Sequence, residues 1–388
     1  MKIDGGRVVS IDMMRGFSLL GILLVNMMSF HTPILYIDGQ KWWESGLDKA
    51  VYFFIDVFVQ GSFYPLFAFV FGYSLTIMME RSGAKGMAFY PVALRRFSVM
   101  LMLGALHVVL VWHGDILFTY AVCGFLLLAF IRLSAKKLVW SGVLIYLVPN
   151  LLLCLLFVAV LLISPAEMVL PVDKEAVKLS VETYSNGSFA EISAFRVKDW
   201  FYTNNPGAFF MYFITILPLF MIGAGAAKLK LFENVENYRR KMAAAAGIMF
   251  LAGLAFKLLP FTAGNNLLTV YIQDLFGGPL QAFSYAGFIA LAGNMGFLRP
   301  LTAAGKISLT NYLCQSVIGS FIFYGYGLGL YGSISLFKGT MLAIILFGIQ
   351  LAFSVRWTKR FYYGPVEWLL RAGSYWAAPK WRKERSGE

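Results

Sequence analysis

The sequence predicts an all-α, polytopic transmembrane helix bundle of about ten spans, and three observations carry that reading. Hydrophobic residues fill 59% of the 388 positions and charged residues only 14%, against roughly 45–50% and about 25% in soluble domains. The mean hydropathy is +0.70. The apolar residues are gathered in runs of about 18–25, the length a helix needs to cross a bilayer, with short basic loops between them. This pattern excludes a soluble enzyme, a disordered chain, a disulfide scaffold and a nucleic-acid binder.

The expected spans lie near 14–31, 51–79, 96–113, 115–131, 138–163, 207–227, 242–260, 276–297, 307–331 and 333–355. With the first stretch on the cytoplasmic side, 25 of the 33 Lys and Arg residues fall in inside stretches. That asymmetry predicts two cytoplasmic termini and accounts for the net charge of +13 without a polyanionic partner. The first run follows Lys2 and Arg7 as a secretory signal would, but Phe30-His31-Thr32-Pro33 offers no small-residue cleavage site, so a retained helix is expected. The second run is longer than a bilayer requires, and Gly61 and Pro65 should break or kink it. Residues 164–206 carry ten charged side chains, a pattern expected of an external, helix-rich cap. The chain thus divides into a transmembrane domain, 1–355, interrupted by that cap, and a basic amphipathic tail, 356–388. The tail mixes Arg and Lys with Trp357, Trp368, Trp376 and Trp381, which suits a helix lying on the cytoplasmic leaflet.

Ionisable groups inside spans are costly and mark candidate sites. Asp12, Arg15, Gly16 and Asn26 share one face of the first span, where Arg15 can donate to a phosphate or carboxylate entering from inside. Ser308, Asn311, Tyr312 and Gln315 form a second polar stripe, expected to line a cavity, with Lys306 and Arg299 just before it. Arg96 adds a fourth cation at the inner end of its span. An anionic ligand would meet a basic mouth there. Toward the outside, His113 and Asp115 flank Gly114 and read as a base with its orienting carboxylate. His31 follows the outer end of the first span, and Asp56 is an outer-half acid. At least one of His31 and His113 should lie within hydrogen-bonding reach of a carboxylate. His107 reads as a buried, neutral core histidine.

Several chemistries lack their residues. No Walker loop, GxGxxG after a strand, HExxH or CxxCH occurs. Cys123, Cys154 and Cys314 all sit in apolar runs without metal-type spacing. His107 and His113 stand about 120° apart on a shared helix and cannot readily ligate one metal from the same side. No metal or haem is expected.

Certain motifs resemble a known family. Arg7-Val8-Val9-Ser10-Ile11-Asp12-Met13-Met14-Arg15-Gly16 with Gly21 and Val25-Asn26, then His113-Gly114-Asp115-Ile116-Leu117, Gly305 to Tyr312 with Gln315-Ser316, and Gly364-Pro365-Val366-Glu367-Trp368 resemble YeiB-like bacterial membrane proteins, domain-of-unknown-function family 418. The resemblance runs in order along nearly the whole chain. It implies a place beside the transmembrane acyltransferase superfamily, through the Ser10, Asp12, Arg15 and Gly16 pattern. A lysosomal heparan-alpha-glucosaminide N-acetyltransferase in that superfamily has a catalytic histidine soon after its first span, the position His31 takes here.

What the resemblance implies is a membrane acyltransferase moving an acyl group from a cytoplasmic thioester to an outer hydroxyl or amine. Acyl-CoA is the expected donor, its phosphates held by Arg15, Arg96 or Lys306 and its arm along Asn311 and Gln315. His31 or His113 would be the base. The alternative expectation is a small-molecule transporter or channel using the same polar cavity. The expected partners are membrane lipids, the acyl donor, a glycan or lipid acceptor and, as an open alternative, a second copy of the chain. The expected location is the bacterial inner membrane.

Overall fold

A computed structural model describes residues 3–4, 7–293 and 295–384. Lys2, Asn294 and the last four residues of the expected tail lie outside the described residues, as does the side chain of Arg7. Apart from a two-residue ladder pairing Ile3–Asp4 with Arg7–Val8, the regular structure is helical. In chain order the α-helices begin with α1 (Val9–His31), α2 (Gly39–Trp42), α3 (Gly46–Phe58), α4 (Phe63–Ala84), α5 (Phe89–Leu110) and α6 (Leu117–Phe130). Next come α7 (Ala135–Ile163), α8 (Lys174–Asn186), α9 (Phe189–Thr203), α10 (Pro206–Lys228), α11 (Val235–Lys257) and α12 (Leu259–Thr262). The last are α13 (Leu267–Ile272), α14 (Gly278–Ala292), α15 (Arg299–Lys306), α16 (Ser308–Phe323), α17 (Leu336–Arg360) and α18 (Pro365–Tyr375).

Many of these helices start where the sequence supplies a side-chain acceptor for the unpaired first-turn N–H groups. Ser45, Ser134, Asp173, Asn205 and Ser335 cap α3, α7, α8, α10 and α17. Ser188 and Glu191 form a reciprocal capping box on α9. The break expected in the second run falls at Val59–Ser62, where Gly61 takes φ +66°. A side chain is strained in that left-handed conformation, and glycine is not. Pro65 lies within the first turn of α4, where its missing N–H costs nothing.

Among the described residues, seven helical stretches are long and apolar enough to cross a bilayer: Val9–His31, Gly46–Ala84, Phe89–Leu110, Ala135–Ile163, Pro206–Lys228, Leu267–Ala292 and Leu336–Arg360. The chain is a membrane protein. Three further expected spans are helical but fall short of that measure, and each has a reason. The α6 helix has only 14 residues and α16 only 16. The α11 helix opens with Glu236, Arg239, Arg240 and Lys241 and ends in Lys257.

The α1 helix lies at the centre, packed against α4, α14, α15, α16 and α17. It meets α15 backbone to backbone. A Cβ at Gly16 would overlap the Leu301 carbonyl, and one at Gly305 would overlap that of Asp12. Two of the motif glycines are therefore contact surfaces. A second group forms where α4 and α7 pack on α10, and α5 packs on α6, α9 and α18. The segment 164–206 is built mainly of α8 and α9. It lies over the turn between α5 and α6, where Arg196 of α9, fully buried, donates to the Val111 carbonyl at 2.7 Å. Val111 is the C-cap of α5, and the C=O groups at a helix end have no partner within the helix. The Arg196 side chain thus ties cap to bundle.

Candidate functional site

Of the cations expected at an inner mouth, Arg15, Arg96 and Lys306 converge on one cavity of about 360 Å³, which Arg299 does not line; the volume is within the range of small-molecule sites. Six basic side chains line it, Arg15, Arg81, Lys85, Arg96, Lys306 and Arg371, against the carboxylates of Asp12 and Glu367. Deeper in, the walls become apolar, with Phe67, Phe71, Met100 and Leu117. Arg15 is oriented from both sides: its Nη1 donates to Asp12 at 2.9 Å and its Nη2 to the hydroxyl of Ser74 on α4. The SxDxxRG pattern therefore places one guanidinium at the cavity wall, with the aspartate one turn away to hold it.

The second polar stripe divides. Ser308 lines the cavity beside Lys306. Asn311 and Gln315 do not; they join α16 to α17. Asn311 donates to Ser354 at 3.0 Å, Gln315 donates to Gln350 at 2.8 Å, and Gln350 returns a bond to the Asn311 carbonyl at 3.1 Å. Buried amides satisfy each other across a helix contact more cheaply than they stay open to a pocket. The expected arm-binding strip is thus a helix seam. Tyr312 turns the other way, its hydroxyl 3.2 Å from the Gly114 carbonyl, to which it donates.

The C-terminal helix closes one side of the cavity. The Glu367 carboxylate accepts from Leu309 N at 2.6 Å, Thr310 N at 3.0 Å and the Thr310 hydroxyl at 2.5 Å. The two N–H donors belong to the first turn of α16, where N–H groups have no partner within the helix, so the carboxylate fills a natural anion seat. Burial pushes the Glu367 carboxyl up, and the donors pull it back down in part.

The loop between α5 and α6 carries the outer groups, with an arrangement that differs from the expected one. Asp115 does not orient His113. Its Oδ1 accepts from Phe118 N at 2.7 Å and so caps α6, and its Oδ2 lies 2.8 Å from His107 Nδ1. The capping geometry turns the carboxylate back along α5, away from His113. His107, expected as an ordinary core residue, is therefore the partner of Asp115, and its Nε2 has no hydrogen-bond partner among the described residues. His113 is served instead by the cap. Its Nδ1 lies 3.4 Å from the Tyr184 hydroxyl, which donates to Asp199 Oδ2 at 2.7 Å. The other oxygen of Asp199 accepts from Tyr36 at 2.5 Å. On its far side, His113 Nε2 lies 3.3 Å from the Ser29 hydroxyl.

Burial lowers the pKa of His113 below the ordinary histidine value; the charge of Asp199 opposes this, and Arg196 and His107 add to it. Burial together with Asp199 raises Tyr184 and Tyr36 and keeps both phenols protonated. Neither expected histidine contacts a carboxylate directly: His113 Nδ1 is 3.9 Å from Asp199 and reaches it through Tyr184. His31 is farther from any such role. It is fully buried, bonded through Nδ1 to the Thr32 hydroxyl at 2.7 Å, and packed against Trp43 and Phe323.

Asp56 belongs to a separate cluster. Its Oδ2 accepts from Gln273 Nε2 at 2.6 Å, and Gln273 also donates to the Lys257 carbonyl at 3.1 Å. Lys257, fully buried, pairs with Asp274 at 3.1 Å. Gln273 and Asp274 open a π-helical turn, Gln273–Gly277, a distortion frequent at functional positions. Sequence reading passed over Lys257, Gln273 and Asp274, although ionisable residues in the stretches 242–260 and near 276 were visible. It also passed over Tyr184 and counted Asp199 only as one of the ten cap charges, among which it does not stand out. Among the described residues no group of three or more metal-type ligands comes together.

Known proteins fit the same picture. The family described as "Protein of unknown function (DUF418)" matches residues 226–377. The "Uncharacterized protein YxaH" of Bacillus subtilis (strain 168) is 32% identical, covering 95% of this chain and 94% of its own length. The "Uncharacterized protein YeiB" of Escherichia coli (strain K12) is 29% identical, over 94% of this chain and 95% of its own. An "Uncharacterized 39.9 kDa protein in amylase 3'region" of Bacillus acidopullulyticus is 26% identical over 95% of this chain and 94% of its own. With a basic cavity at one end of a helix bundle, a helical cap over two histidines at the other, and relatives alike along their whole lengths, this chain belongs to the DUF418 family of YeiB-like membrane proteins.

Proposed function

We propose that the protein is a membrane acyltransferase of the bacterial inner membrane, taking an acyl thioester from the cytoplasm and passing the acyl group to an outer hydroxyl or amine. The observation that carries this reading is the cavity itself: six basic side chains at its wall, then an apolar throat that ends at Leu117, two residues past Asp115. Cations of this density suit the phosphates of a donor such as acyl-CoA, and guanidinium groups hold phosphate in paired hydrogen bonds. The apolar continuation suits the arm and acyl chain. His113, held neutral by burial, is the group able to accept a proton at the far end. The basic tail with α18 lies on the cytoplasmic leaflet in this orientation, its Trp376 exposed to meet headgroups.

The test is binding and turnover in the purified protein. Coenzyme A should bind the wild type, and Arg96→Gln should weaken it about tenfold, the loss expected for one charge-assisted contact. Thiol release from acetyl-CoA or a longer acyl-CoA should depend on an added glycan or lipid acceptor. Absence of both binding and acceptor-dependent thiol release would overturn the proposal. Uptake of a metabolite into proteoliposomes without thiol release would replace it with transport through the same cavity.

A further inference from the structure

Four separate segments meet at His113: the last turn of α1 through Ser29, the loop between α5 and α6, α8 through Tyr184, and α9 through Asp199. The hydrogen-bond directions there are fixed by chemistry. Tyr184 gives its single proton to Asp199, so its oxygen can only accept, and the donor facing it is His113 Nδ1–H. That tautomer leaves the lone pair on Nε2, which then accepts from the Ser29 hydroxyl at 3.3 Å. The chain of groups therefore reads hydroxyl, imidazole, phenol, carboxylate, with Asp199 further held by Tyr36.

We propose that Ser29 is an acyl-accepting nucleophile, His113 its general base, and Asp199 a positioning residue that acts on His113 through Tyr184. The arrangement has the roles of a serine nucleophile, a base and an orienting acid, recognised by geometry and not by sequence order. Burial agrees with those roles: His113, Tyr184 and Asp199 are buried, whereas Ser29 is only partly so. The neighbouring His107–Asp115 pair lacks the first member, because no hydroxyl meets His107 Nε2 among the described residues.

In the first step Ser29 Oγ attacks the thioester carbonyl carbon, and its proton passes to His113 Nε2. The C–S bond breaks, and the departing thiolate takes that proton and leaves as the thiol. An acceptor hydroxyl or amine then gives its proton to Nε2 and attacks the ester carbon. The bond to Ser29 Oγ breaks, and the serine oxygen recovers the proton. The imidazolium formed in each step faces Asp199 through Tyr184, and it is opposed by the charge of Arg196 and by the neighbouring His107. This inference rests on the acyl-transfer reading, and a chemical probe separates the two.

The experiment treats the intact protein, in detergent or nanodiscs, with a fluorophosphonate that esterifies activated serines, and maps the adduct by mass spectrometry. The expected result is labelling at Ser29, lost in Ser29→Ala and slowed about 10²-fold in His113→Gln. Asp199→Asn should slow it less, and should also move the pH midpoint of labelling downward, because the carboxylate that raises the His113 pKa is gone. A merely structural role for Asp199 would leave that midpoint in place. Circular dichroism and size-exclusion profiles confirm that each variant is folded. Labelling at Ser29 in a protein that releases no thiol from acyl-CoA would support the nucleophile and overturn the donor assignment. Full acceptor-dependent thiol release by Ser29→Ala, or no labelling of the folded wild type, would overturn the nucleophile.

Discussion

His107 and His113 stand six residues apart in sequence, and each faces an aspartate, yet the two pairs are built for different work. The His107–Asp115 pair is made within one helix–loop–helix corner, at 2.8 Å, by a carboxylate that also caps α6. Its hydrogen bonds hold the corner together. The His113–Asp199 pair joins the bundle to the cap, with a tyrosine between them and a serine beyond. One pair is closed and local, the other extended and open at its serine end. On the proposed assignment, the shortest histidine–carboxylate contact is not the reactive one; what matters is which nitrogen is left to face a hydroxyl.

The sharpest way to break the comparison is to remove each imidazole. His113→Gln should fold normally and lose about 10²-fold or more in acyl transfer, measured as acceptor-dependent thiol release. If His107→Gln gave the larger loss of rate in a protein of unchanged stability, the assignment would be reversed. Next in size is Asp115→Ala, which uncaps α6 and strands a buried histidine. It should cost about 3 kcal/mol of stability by the measure of broken buried pairs, read as a lowered midpoint of heat inactivation. A smaller effect is expected from acid. His113 works as a base only when neutral, and its pKa lies below the ordinary value of about 6.5. The rate should thus hold level as pH falls to that value and decline only below it. Stability follows the same sign: the contribution of a buried neutral histidine is full above the unfolded pKa and is lost as pH falls through the lower folded one. Smallest of all is Glu367→Gln, which keeps an acceptor at the start of α16 but removes its charge, for about 1 kcal/mol. A chemical denaturation series would measure it.

The fold was legible because it depends on composition and local rules. Ser45, Ser134, Asp173 and Ser188 announce helix starts, and Gly61 announces the break that appears at φ +66°. The basic mouth was legible too, since Arg15, Arg96 and Lys306 do share one cavity. Orientation was not. A polar stripe on one helix looks the same whether it faces a pocket or a second stripe, and Asn311 and Gln315 face Ser354 and Gln350. Nor could adjacency identify the partner of His113. Asp115 was near in sequence but committed to Phe118 N, while Asp199 arrives from 86 positions further along the chain. Buried Lys257 and its partly exposed partner Asp274 were hidden for another reason: each alone resembles a span end, and only packing makes them a pair.

The unequal lengths of α6 and α7 have a consequence for the membrane around the protein. At 1.5 Å per residue, the 14 residues of α6 extend about 21 Å and the 29 of α7 about 44 Å, and both pack on α10. A hydrocarbon core of about 30 Å matches neither. Most of α6 is covered by protein, whereas only four residues of α7 are buried. It is therefore α7 that must lean in the bilayer or draw thicker lipid around it, and its outer end leads into the cap that carries Tyr184 and Asp199. Acyl-chain length in the host membrane therefore becomes a control variable: thinner bilayers should tilt α7 further and thicker ones let it stand, with no change in any residue.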